Sequence, residues 1–281
     1  MTETFGERLR GVLDARGPLC VGIDPHAALL DAWGLPQTAD GVRSFGLAVV
    51  EAAAGRVGIV KPQVSFFERF GSRGFAALED VTASARAAGL LVVADAKRGD
   101  IGTTMAGYAQ AWLEPGAPLE ADALTISPYL GGGSLSEAIS RALPVGKGVF
   151  VLAATSNPEG ASVQQARTAN AGETVALRVT RDVTALDDAA EGVLGSVGLV
   201  VGATIDRSDF ALDDETLRTV PLLAPGFGAQ GATPEDLRAR FGTLAGNVLA
   251  SESRSILSAG PDRIAATIDE RAARYQEVMG G

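Results

Sequence analysis

The sequence predicts an α/β fold in which eight parallel strands close into a barrel. Short apolar runs alternate with amphipathic segments along the 281 residues, which indicates parallel strands joined by right-handed helical crossovers. Apolar residues make up 46% of the chain and aromatic residues only 5%, so the interior is built mainly from small aliphatic side chains, as layered α/β folds require. Polar residues also follow strand after strand where each apolar run ends.

An amphipathic helix is expected before the first strand, at about residues 3–16. Phe5, Leu9, Val12 and Leu13 lie on one stripe of that helix. Eight strand–helix units close most naturally into a (β/α)8 TIM barrel, and a doubly wound open sheet is the alternative. The predicted strands are Leu19–Asp24, Val57–Lys61, Leu90–Asp95, Ala123–Ser127, Gly148–Ala153, Val197–Ala203, Val220–Ala224 and Asn247–Ala250.

Apolar spacing predicts one helix, and capping signals predict where two more begin. A helix is expected over residues 38–54, with apolar positions at Val42, Phe45, Val49 and Val50. Ser134 and Glu137 have the spacing of a capping box. Thr233-Pro234, followed by two acids, has the pattern of an N-cap with proline at the first helical position.

A single domain over residues 1–281 is predicted, with the barrel at about 19–275, because no linker or repeat divides the sequence. The longest segment without a clear pattern, Asn157 to Glu191, is expected to hold an elaborated loop and then a helix from about Glu173.

Charge and cysteine content exclude several classes of protein. A net charge of −10 argues against a nucleic-acid or anionic-membrane surface, since both need a basic field. Cys20 is the only cysteine and lies in an apolar run, so we expect a buried core side chain and not a nucleophile. The first ten residues lack the apolar region of a signal peptide, and no long apolar run follows. These features favour a soluble cytoplasmic protein.

The polar residues at the predicted strand ends are the strongest indication of a site. In a barrel of this type the chemistry lies at the carboxyl ends of the strands. Six of the predicted strands end in unusual polar sequence, and one such coincidence would mean little. The six are Asp24-Pro25, Lys61-Pro62, Asp95-Ala96-Lys97, Thr155-Ser156-Asn157, the loop 225–231, and Ser251-Glu252-Ser253-Arg254.

The cluster Asp95-x-Lys97-x-x-Asp100 ends the third strand. Side chains alternate along a strand, so Asp95 and Lys97 share one face, roughly 6.6 Å apart along the chain. Asp100 is expected to add a second carboxylate that helps to keep the lysine protonated. A salt-bridged surface strand end is the alternative for this cluster taken alone.

The glycine-rich stretch Gly226-x-Gly228-x-x-Gly231 matches a dinucleotide fingerprint, and Glu252 lies about 20 residues further on. The match is weak, because the helix start at 233 lies beyond the glycines and the motif follows the seventh strand. We interpret it as a loop whose backbone N–H groups bind one phosphate together with Gln230 and Arg254. Glycines that serve only a tight turn are the alternative.

The sole histidine, His26, is interpreted as a loop residue, since one histidine supports neither a metal cluster nor a catalytic triad. Trp33 and Trp112 are interpreted as packing residues. No metal site is predicted.

Three segments together closely resemble the orotidine 5′-phosphate decarboxylase family, in its longer, mycobacterial-type bacterial form. They are residues 61–68, 95–104 and 224–231, and the similarity runs from about residue 20 to residue 256. The resemblance implies a (β/α)8 barrel that converts orotidine 5′-monophosphate to UMP and CO2 without a metal or organic cofactor. It also implies a homodimer with shared active sites.

The resemblance assigns roles residue by residue. Lys97 would donate the proton to C6, Asp95 would face the substrate carboxylate, and Asp24 and Lys61 would contact the ribose. The remaining assignments are Asp100, Ile101 and Thr104 reaching into the partner subunit's site, Ser156 reading the pyrimidine amide edge, Pro225 bordering the base, and Gln230 with Arg254 holding the phosphate.

Two other functions are kept as alternatives. A metal-dependent sugar-phosphate aldolase or decarboxylase on a related barrel can use a similar acid–lysine cluster to bind Mg²⁺. A non-catalytic nucleotide-phosphate binding protein would keep the phosphate loop without the chemistry. A Schiff-base aldolase is disfavoured, because flanking acids hold a lysine protonated.

Overall fold

A computed structural model describes residues 2–187 and 193–280. Within these ranges eight parallel strands close into a barrel in sequence order, and β1 pairs with both β2 and β8. The predicted TIM barrel is therefore confirmed, and the open sheet is wrong. The strands are β1 Leu19–Ile23, β2 Ile59–Pro62, β3 Leu91–Arg98, β4 Ala123–Ile126, β5 Gly148–Ala154, β6 Val197–Val201, β7 Leu222–Pro225 and β8 Val248–Glu252.

Helices surround the barrel and connect its strands. The α-helices in the described ranges are α1 Phe5–Arg16, α2 Ala27–Ala32, α3 Ala39–Ala53, α4 Val64–Glu68, α5 Gly71–Ala87, α6 Gly102–Leu113, α7 Ser136–Ala142, α8 Pro158–Gln164, α9 Val175–Thr184, α10 Asp236–Phe241, α11 Arg254–Leu257 and α12 Ile264–Gly280. Short 3₁₀ segments lie at Gly132–Leu135, Leu143–Val145, Arg207–Phe210 and Gly242–Asn247. In this part of the chain no helix is both long enough and apolar enough to cross a membrane.

All eight predicted strands exist, and each of their ends lies within three residues of its predicted position. The largest extension is in β3, which continues past Asp95 to Arg98 because Arg98 pairs again with Ile126 of β4 after an irregular stretch. β2 also runs one residue further than predicted, since Pro62 takes its place opposite Ile23 at the strand end, where a missing N–H is tolerated.

The helix predicted over residues 38–54 is present as α3, and the Thr38 side chain caps it by accepting a hydrogen bond from the Gly41 N–H. Both capping predictions are wrong. The capping box at Ser134 is wrong, because that hydroxyl donates to the Gly131 carbonyl in a 3₁₀ turn and α7 begins two residues later. Thr233 does not cap α10 either.

The Thr233 side chain does not accept the hydrogen bond expected of an N-cap. The Asp236 carboxylate accepts hydrogen bonds from the Thr233 N–H and hydroxyl, and α10 begins at Asp236 itself. Pro234 therefore lies in the turn before the helix and not at its first position.

Helix α1 closes the amino-terminal end of the barrel. Phe5 packs edge-on against Phe150 of β5, with ring centroids 6.0 Å apart. Phe5, Leu9 and Leu13 belong to one buried cluster with barrel-interior residues such as Ile59. Val12 packs at the rim of that cluster. The barrel interior next to α1 is therefore a packed apolar core.

The segment Asn157 to Glu191 holds two helices, α8 and α9, and the second begins at Val175, close to the predicted position. Residues 188–191 of this segment lie outside the described residues. The Thr174 side chain caps α9 by accepting from the Leu177 N–H, and the Thr174 hydroxyl donates to the Phe210 carbonyl. A buried hydrogen bond thus links the residue before α9 to the 3₁₀ segment Arg207–Phe210.

The three residues interpreted as core are buried. Cys20 is fully buried among barrel-interior residues, and burial raises the pKa of its thiol to about 12, which excludes a thiolate nucleophile at neutral pH. Trp33 and Trp112 are both buried, and the Trp33 indole donates to the Leu257 carbonyl.

Candidate active site

A cavity of about 310 Å³ opens at the carboxyl end of the barrel. Its size lies at the lower end of small-molecule sites. Most of the residues that the sequence predicts for the site line this cavity. Its lining includes Asp24, Lys61, Asp95, Lys97, Ser156, Pro225, Gln230 and Arg254, together with Gln63, Thr155, Asn157, Ser251 and Ser253.

The centre of the cavity is a row of three charges. The Lys61 ammonium lies 2.9 Å from Asp95 Oδ2, and the Lys97 ammonium lies 2.5 Å from Asp95 Oδ1. The side chains of Lys61 and Asp95 are 8% and 10% exposed, whereas that of Lys97 is 46% exposed. All three residues line the cavity, and Lys97 is the most exposed of them.

The charge row shifts two pKa values in opposite directions. Burial alone would lower the pKa of Lys61, but the carboxylates of Asp95 and Asp24 outweigh it and raise that pKa. Burial alone would raise the pKa of Asp95, but the ammonium groups of Lys61 and Lys97 outweigh it and hold that pKa well below its usual range. Asp95 therefore stays ionised and Lys61 stays protonated at neutral pH.

The arrangement corrects the expected position of Lys97 between two acids of its own chain. Asp95 instead lies between two lysines. Asp100 lies in the loop after β3 and does not line the cavity; its Oδ1 accepts a hydrogen bond from the Ile101 N–H.

Ile101 and Thr104 also lie outside this chain's cavity. Ile101 is the N-cap residue of α6 and is 62% exposed, and Thr104 is exposed in the first turn of that helix. Together with Asp100 they form an outward-facing group beside the barrel mouth. The structure of this chain therefore does not bring Asp100, Ile101 or Thr104 into the cavity.

Asp24 stands at the end of β1, on the far side of Lys61 from Lys97. Its Oδ2 accepts a hydrogen bond of 2.5 Å from the Ser253 hydroxyl. Its Oδ1 is buried and has no hydrogen-bond partner among the described residues. A buried carboxylate oxygen without a partner is costly unless a ligand supplies one, so Asp24 is available for a hydroxyl donor in the cavity.

The glycine-rich loop follows β7 and borders the cavity beside Arg254. Gly226, Gly228 and Gly231 all have positive φ angles, of 123°, 71° and 108°. A Cβ on Gly228 would lie 2.2 Å from the Ser255 hydroxyl oxygen. The loop therefore needs glycine at this position, both for its conformation and for its close contact with the turn after β8.

Glu252 does not play the role that a dinucleotide fingerprint would give it. Its carboxylate is fully buried and accepts hydrogen bonds from the Tyr275 hydroxyl at 2.8 Å, from Arg271 at 3.0 Å and from Ser255 at 2.7 Å. Phe227 packs edge-on against Tyr275 from the glycine loop. Glu252 thus ties the loop to β8 and α12 and has no capacity left for a ribose.

Sequence reasoning assigned no role to several cavity residues and missed one residue below them. Gln63, Ser251 and Ser253 are next to the predicted motifs in the sequence, and this position could have identified them as cavity residues. Thr125 is fully buried on β4, and its hydroxyl contacts Asp95 Oδ1 at 3.0 Å. Thr125 could have been found from the sequence as a polar residue within the otherwise apolar run of β4.

His26 is the N-cap residue of α2 and does not line the cavity, which agrees with its interpretation as a loop residue. Its ring lies 6.0 Å from that of Phe66, between centroids. Among residues 2–187 and 193–280, no three His, Cys, Asp or Glu side chains are grouped to hold a metal ion.

Comparisons with known proteins agree on one family. A sequence profile of the "Orotidine 5′-phosphate decarboxylase / HUMPS family" matches residues 17–267. Orotidine 5′-phosphate decarboxylase of Salinispora tropica is 55% identical over 263 residues, covering 94% of this chain and 93% of that protein. The enzyme of the same name from Streptomyces coelicolor is 55% identical over 261 residues, covering 92% of each chain.

Solved structures give the same result. The crystal structure of a Streptomyces avermitilis protein superposes with a TM-score of 0.93 at 50% identity, covering 100% of this chain and 97% of that one. The OMP decarboxylase of Leishmania donovani superposes with a TM-score of 0.78 at 28% identity, covering 99% of both chains. With its barrel, its charge row and these similarities, the chain belongs to the orotidine 5′-phosphate decarboxylase family.

Proposed function

We propose that this protein removes CO2 from orotidine 5′-monophosphate to give UMP, in pyrimidine biosynthesis, without a metal or organic cofactor. The observation that carries the proposal is the row Lys61–Asp95–Lys97 at the base of a cavity that Gln230 and Arg254 also line. The curated relatives, at about half identity over most of the chain, bear the name of this enzyme.

Lys97 is proposed as the proton donor to C6. When the bond between C6 and the carboxylate carbon breaks, CO2 departs and the electron pair stays on C6 in an in-plane orbital. A fixed ammonium stabilises this charge without reorganisation, and a proton then moves from Lys97 Nζ to C6. The exposed side of the lysine lets solvent return the proton after product leaves.

Asp95 is proposed to lie against the carboxylate of the bound substrate. Its lowered pKa keeps it negative, so it repels a second carboxylate and relaxes when that group leaves as neutral CO2. Lys61 balances the charge of Asp95 from the buried side. We propose that Asp24 and Lys61 also hold the ribose hydroxyls, for which the free oxygen of Asp24 is suited.

The remaining cavity residues are proposed to bind the base and the phosphate. Ser156 and Pro225 border the space for the pyrimidine, and Gln230 and Arg254 stand on the loops after β7 and β8, where phosphate sites are frequent in these barrels. A phosphate bound far from C6 supplies binding energy that can close the loop and exclude water.

The active unit is proposed to be a homodimer in which Asp100, Ile101 and Thr104 complete the partner's site. Support comes from their outward position and from Tyr129 and Leu130, which follow the neighbouring strand and are 84% and 54% exposed. Large apolar side chains exposed side by side are typical of an interface.

Subunit mixing tests this arrangement. Lys97→Ala and Asp100→Ala chains, each inactive alone, should regain about a quarter of wild-type activity when exchanged at random, because half of the dimers carry one intact site of two. Mixed tags and native mass spectrometry would verify the exchange. Verified exchange without recovery contradicts the shared site.

A metal-dependent aldolase or decarboxylase is the second candidate from the sequence, and the charge row disfavours it. A divalent cation at Asp95 would have to displace two ammonium groups, one at each carboxylate oxygen. The decisive experiment follows the pyrimidine absorbance of orotidine 5′-monophosphate with purified protein in EDTA. Turnover that persists in EDTA supports the proposal, and turnover restored only by Mg²⁺ contradicts it.

The same assay tests the non-catalytic alternative, since a protein that binds UMP without turnover would be a binding protein only. The ionised Asp95 and the accessible Lys97 argue for catalysis. We also propose a cytoplasmic location, which cell fractionation would test. We further propose that residues 1–281 form one domain, which limited proteolysis would test.

A further inference from the structure

Thr125 lies opposite an irregular stretch of β3. Ala94 pairs with Leu124 and Arg98 pairs with Ile126, so β3 advances by four residues while β4 advances by two. Residues 95–97 are therefore pushed out of the regular ladder, and Thr125 is the β4 residue that faces them. Such a bulge redirects side chains and leaves backbone groups without their usual partners.

The Thr125 hydroxyl joins the two reactive residues of this stretch. It lies 2.9 Å from the Lys97 backbone nitrogen and 3.0 Å from Asp95 Oδ1. The backbone N–H can only donate, so the hydroxyl accepts there and points its single proton at Asp95. The side chain is fully buried, and no water is needed for either bond.

Lys97 has an unusual backbone conformation, with φ at +49°. Left-handed backbone is unfavourable for residues other than glycine and persists only where the surroundings hold it. The hydrogen bond to Thr125 holds this amide, because the bulge removes the ladder acceptor. The conformation in turn lets the Lys97 side chain fold back to within 2.5 Å of Asp95 Oδ1.

We propose that Thr125 is a positioning residue for the decarboxylation, fixing the Lys97 backbone and the Asp95 carboxylate with one hydroxyl. The inference rests on the proposed function and adds a residue that touches no substrate. Its side chain lies behind Asp95, and its oxygen sets both the direction of the ammonium and the orientation of the carboxylate. A misplacement of reacting groups by about 1 Å can lower a rate by about 100-fold.

The test compares Thr125→Val, which keeps the shape and removes the hydroxyl, with Thr125→Ser, which keeps the hydroxyl. We expect Thr125→Val to lower kcat by about 100-fold, with KM and the Kd for UMP within about threefold of wild type. Thr125→Ser should recover kcat to within about fivefold, because the hydroxyl rather than the methyl group carries the effect. Thr180→Val is a matched control, since Thr180 is also fully buried and its hydroxyl donates to the Ala176 carbonyl within α9.

The outcomes separate this inference from the proposed function. A wild-type protein without turnover refutes the proposed function. If the wild type is active, two results would overturn the role of the hydroxyl. One is an unchanged kcat in Thr125→Val, and the other is an equal loss of kcat in Thr125→Val and Thr125→Ser. If Thr125→Val does not fold, Thr125→Ala replaces it, and failure of both to fold assigns the hydroxyl to stability and likewise overturns the proposal.

Discussion

A cluster of charged side chains lies at each end of the barrel, and only the cluster at the mouth lines the candidate active-site cavity. The mouth cluster is Lys61, Asp95 and Lys97. The base cluster is Glu120, Asp122 and Lys147, with Arg8 and Arg86 at its edge. In the base cluster the Lys147 ammonium lies 2.7 Å from Glu120 and 3.6 Å from Asp122, and the three side chains are 10% exposed or less. Both clusters therefore contain a buried lysine–carboxylate ion pair.

Their hydrogen bonding separates them. In the base cluster both carboxylates also accept from backbone N–H groups, Glu120 from Gly116 at 2.8 Å and Asp122 from Val92 at 3.0 Å. The mouth cluster has a half-exposed lysine on strained backbone and, beside it, an unpartnered oxygen on Asp24. A buried ion pair therefore does not identify a site. Unsatisfied polar atoms and strained backbone do identify a site. Both lower the stability of the folded protein, so they are kept where function requires them.

The largest expected effect comes from Lys97→Ala in the mouth cluster. We expect turnover to fall by at least about 10⁴-fold, since one change removes both the stabilising charge and the proton donor. Single-turnover absorbance assays with orotidine 5′-monophosphate would measure the loss, and calorimetry with UMP should show that the nucleotide still binds.

Lys97→Arg distinguishes the two contributions, because guanidinium keeps the charge and does not give up a proton at neutral pH. It should bind UMP and remain close to inactive. Near-normal CO2 release from either variant would refute the assignment of Lys97.

Lys147→Met makes the matching change in the base cluster, with the opposite result. Removing this cation leaves Glu120 and Asp122 close together with one arginine each, and breaking a buried ion pair costs about 3 kcal/mol of unfolding free energy. Urea denaturation should show that loss, while kcat of the folded fraction stays within about twofold of wild type. A large fall in kcat at unchanged stability would contradict the claim that the base cluster serves stability and the mouth cluster serves catalysis.

The sequence predicted the mouth cluster more fully than the base cluster, for a physical reason. Asp95 and Lys97 interrupt an apolar run at a strand end, so alternation alone puts them on one face. Glu120, Asp122 and Lys147 precede two different strands, and their meeting depends on the register between β4 and β5, which local pattern does not encode.

The same limit explains why sequence pattern placed Asp100 near Lys97 and assigned no role to Thr125. Counting along the chain puts Asp100 three residues from Lys97, but the bulge and the following turn carry it away from the cavity. Thr125 is 28 residues from Lys97, and it reaches the site only because strands pair side by side. Sequence pattern predicted the order of the strands and their reactive ends, whereas contacts across strands required the structure.

Arg254→Ala tests a weaker part of the mouth, the proposed phosphate position. We expect substrate binding to weaken by about 2–3 kcal/mol, the usual size of a charge-assisted contact, which appears as a rise in KM. Arg271→Ala is a useful contrast on the same side of the barrel, because Arg271 pairs with the buried Glu252 and should affect stability instead. Unchanged KM and kcat in Arg254→Ala would show that another group holds the phosphate.

The smallest effect concerns acid stability, to which both clusters contribute. Burial alone would raise the pKa of Glu120, but hydrogen bonds from Lys147 and the Gly116 N–H outweigh it and lower that pKa. Because the folded pKa lies below the unfolded value of about 4.3, the stabilisation is fully present above that pH and is lost as pH falls through the folded pKa. Glu120→Gln should therefore be less stable than wild type at pH 7 but lose less free energy of unfolding on acidification. Urea titrations at pH 7 and near pH 4 measure the difference. Glu215→Gln is the control, because Glu215 is highly exposed. If wild type and Glu120→Gln lose equal free energy of unfolding on acidification, the Glu120 carboxylate is excluded as a source of the pH dependence.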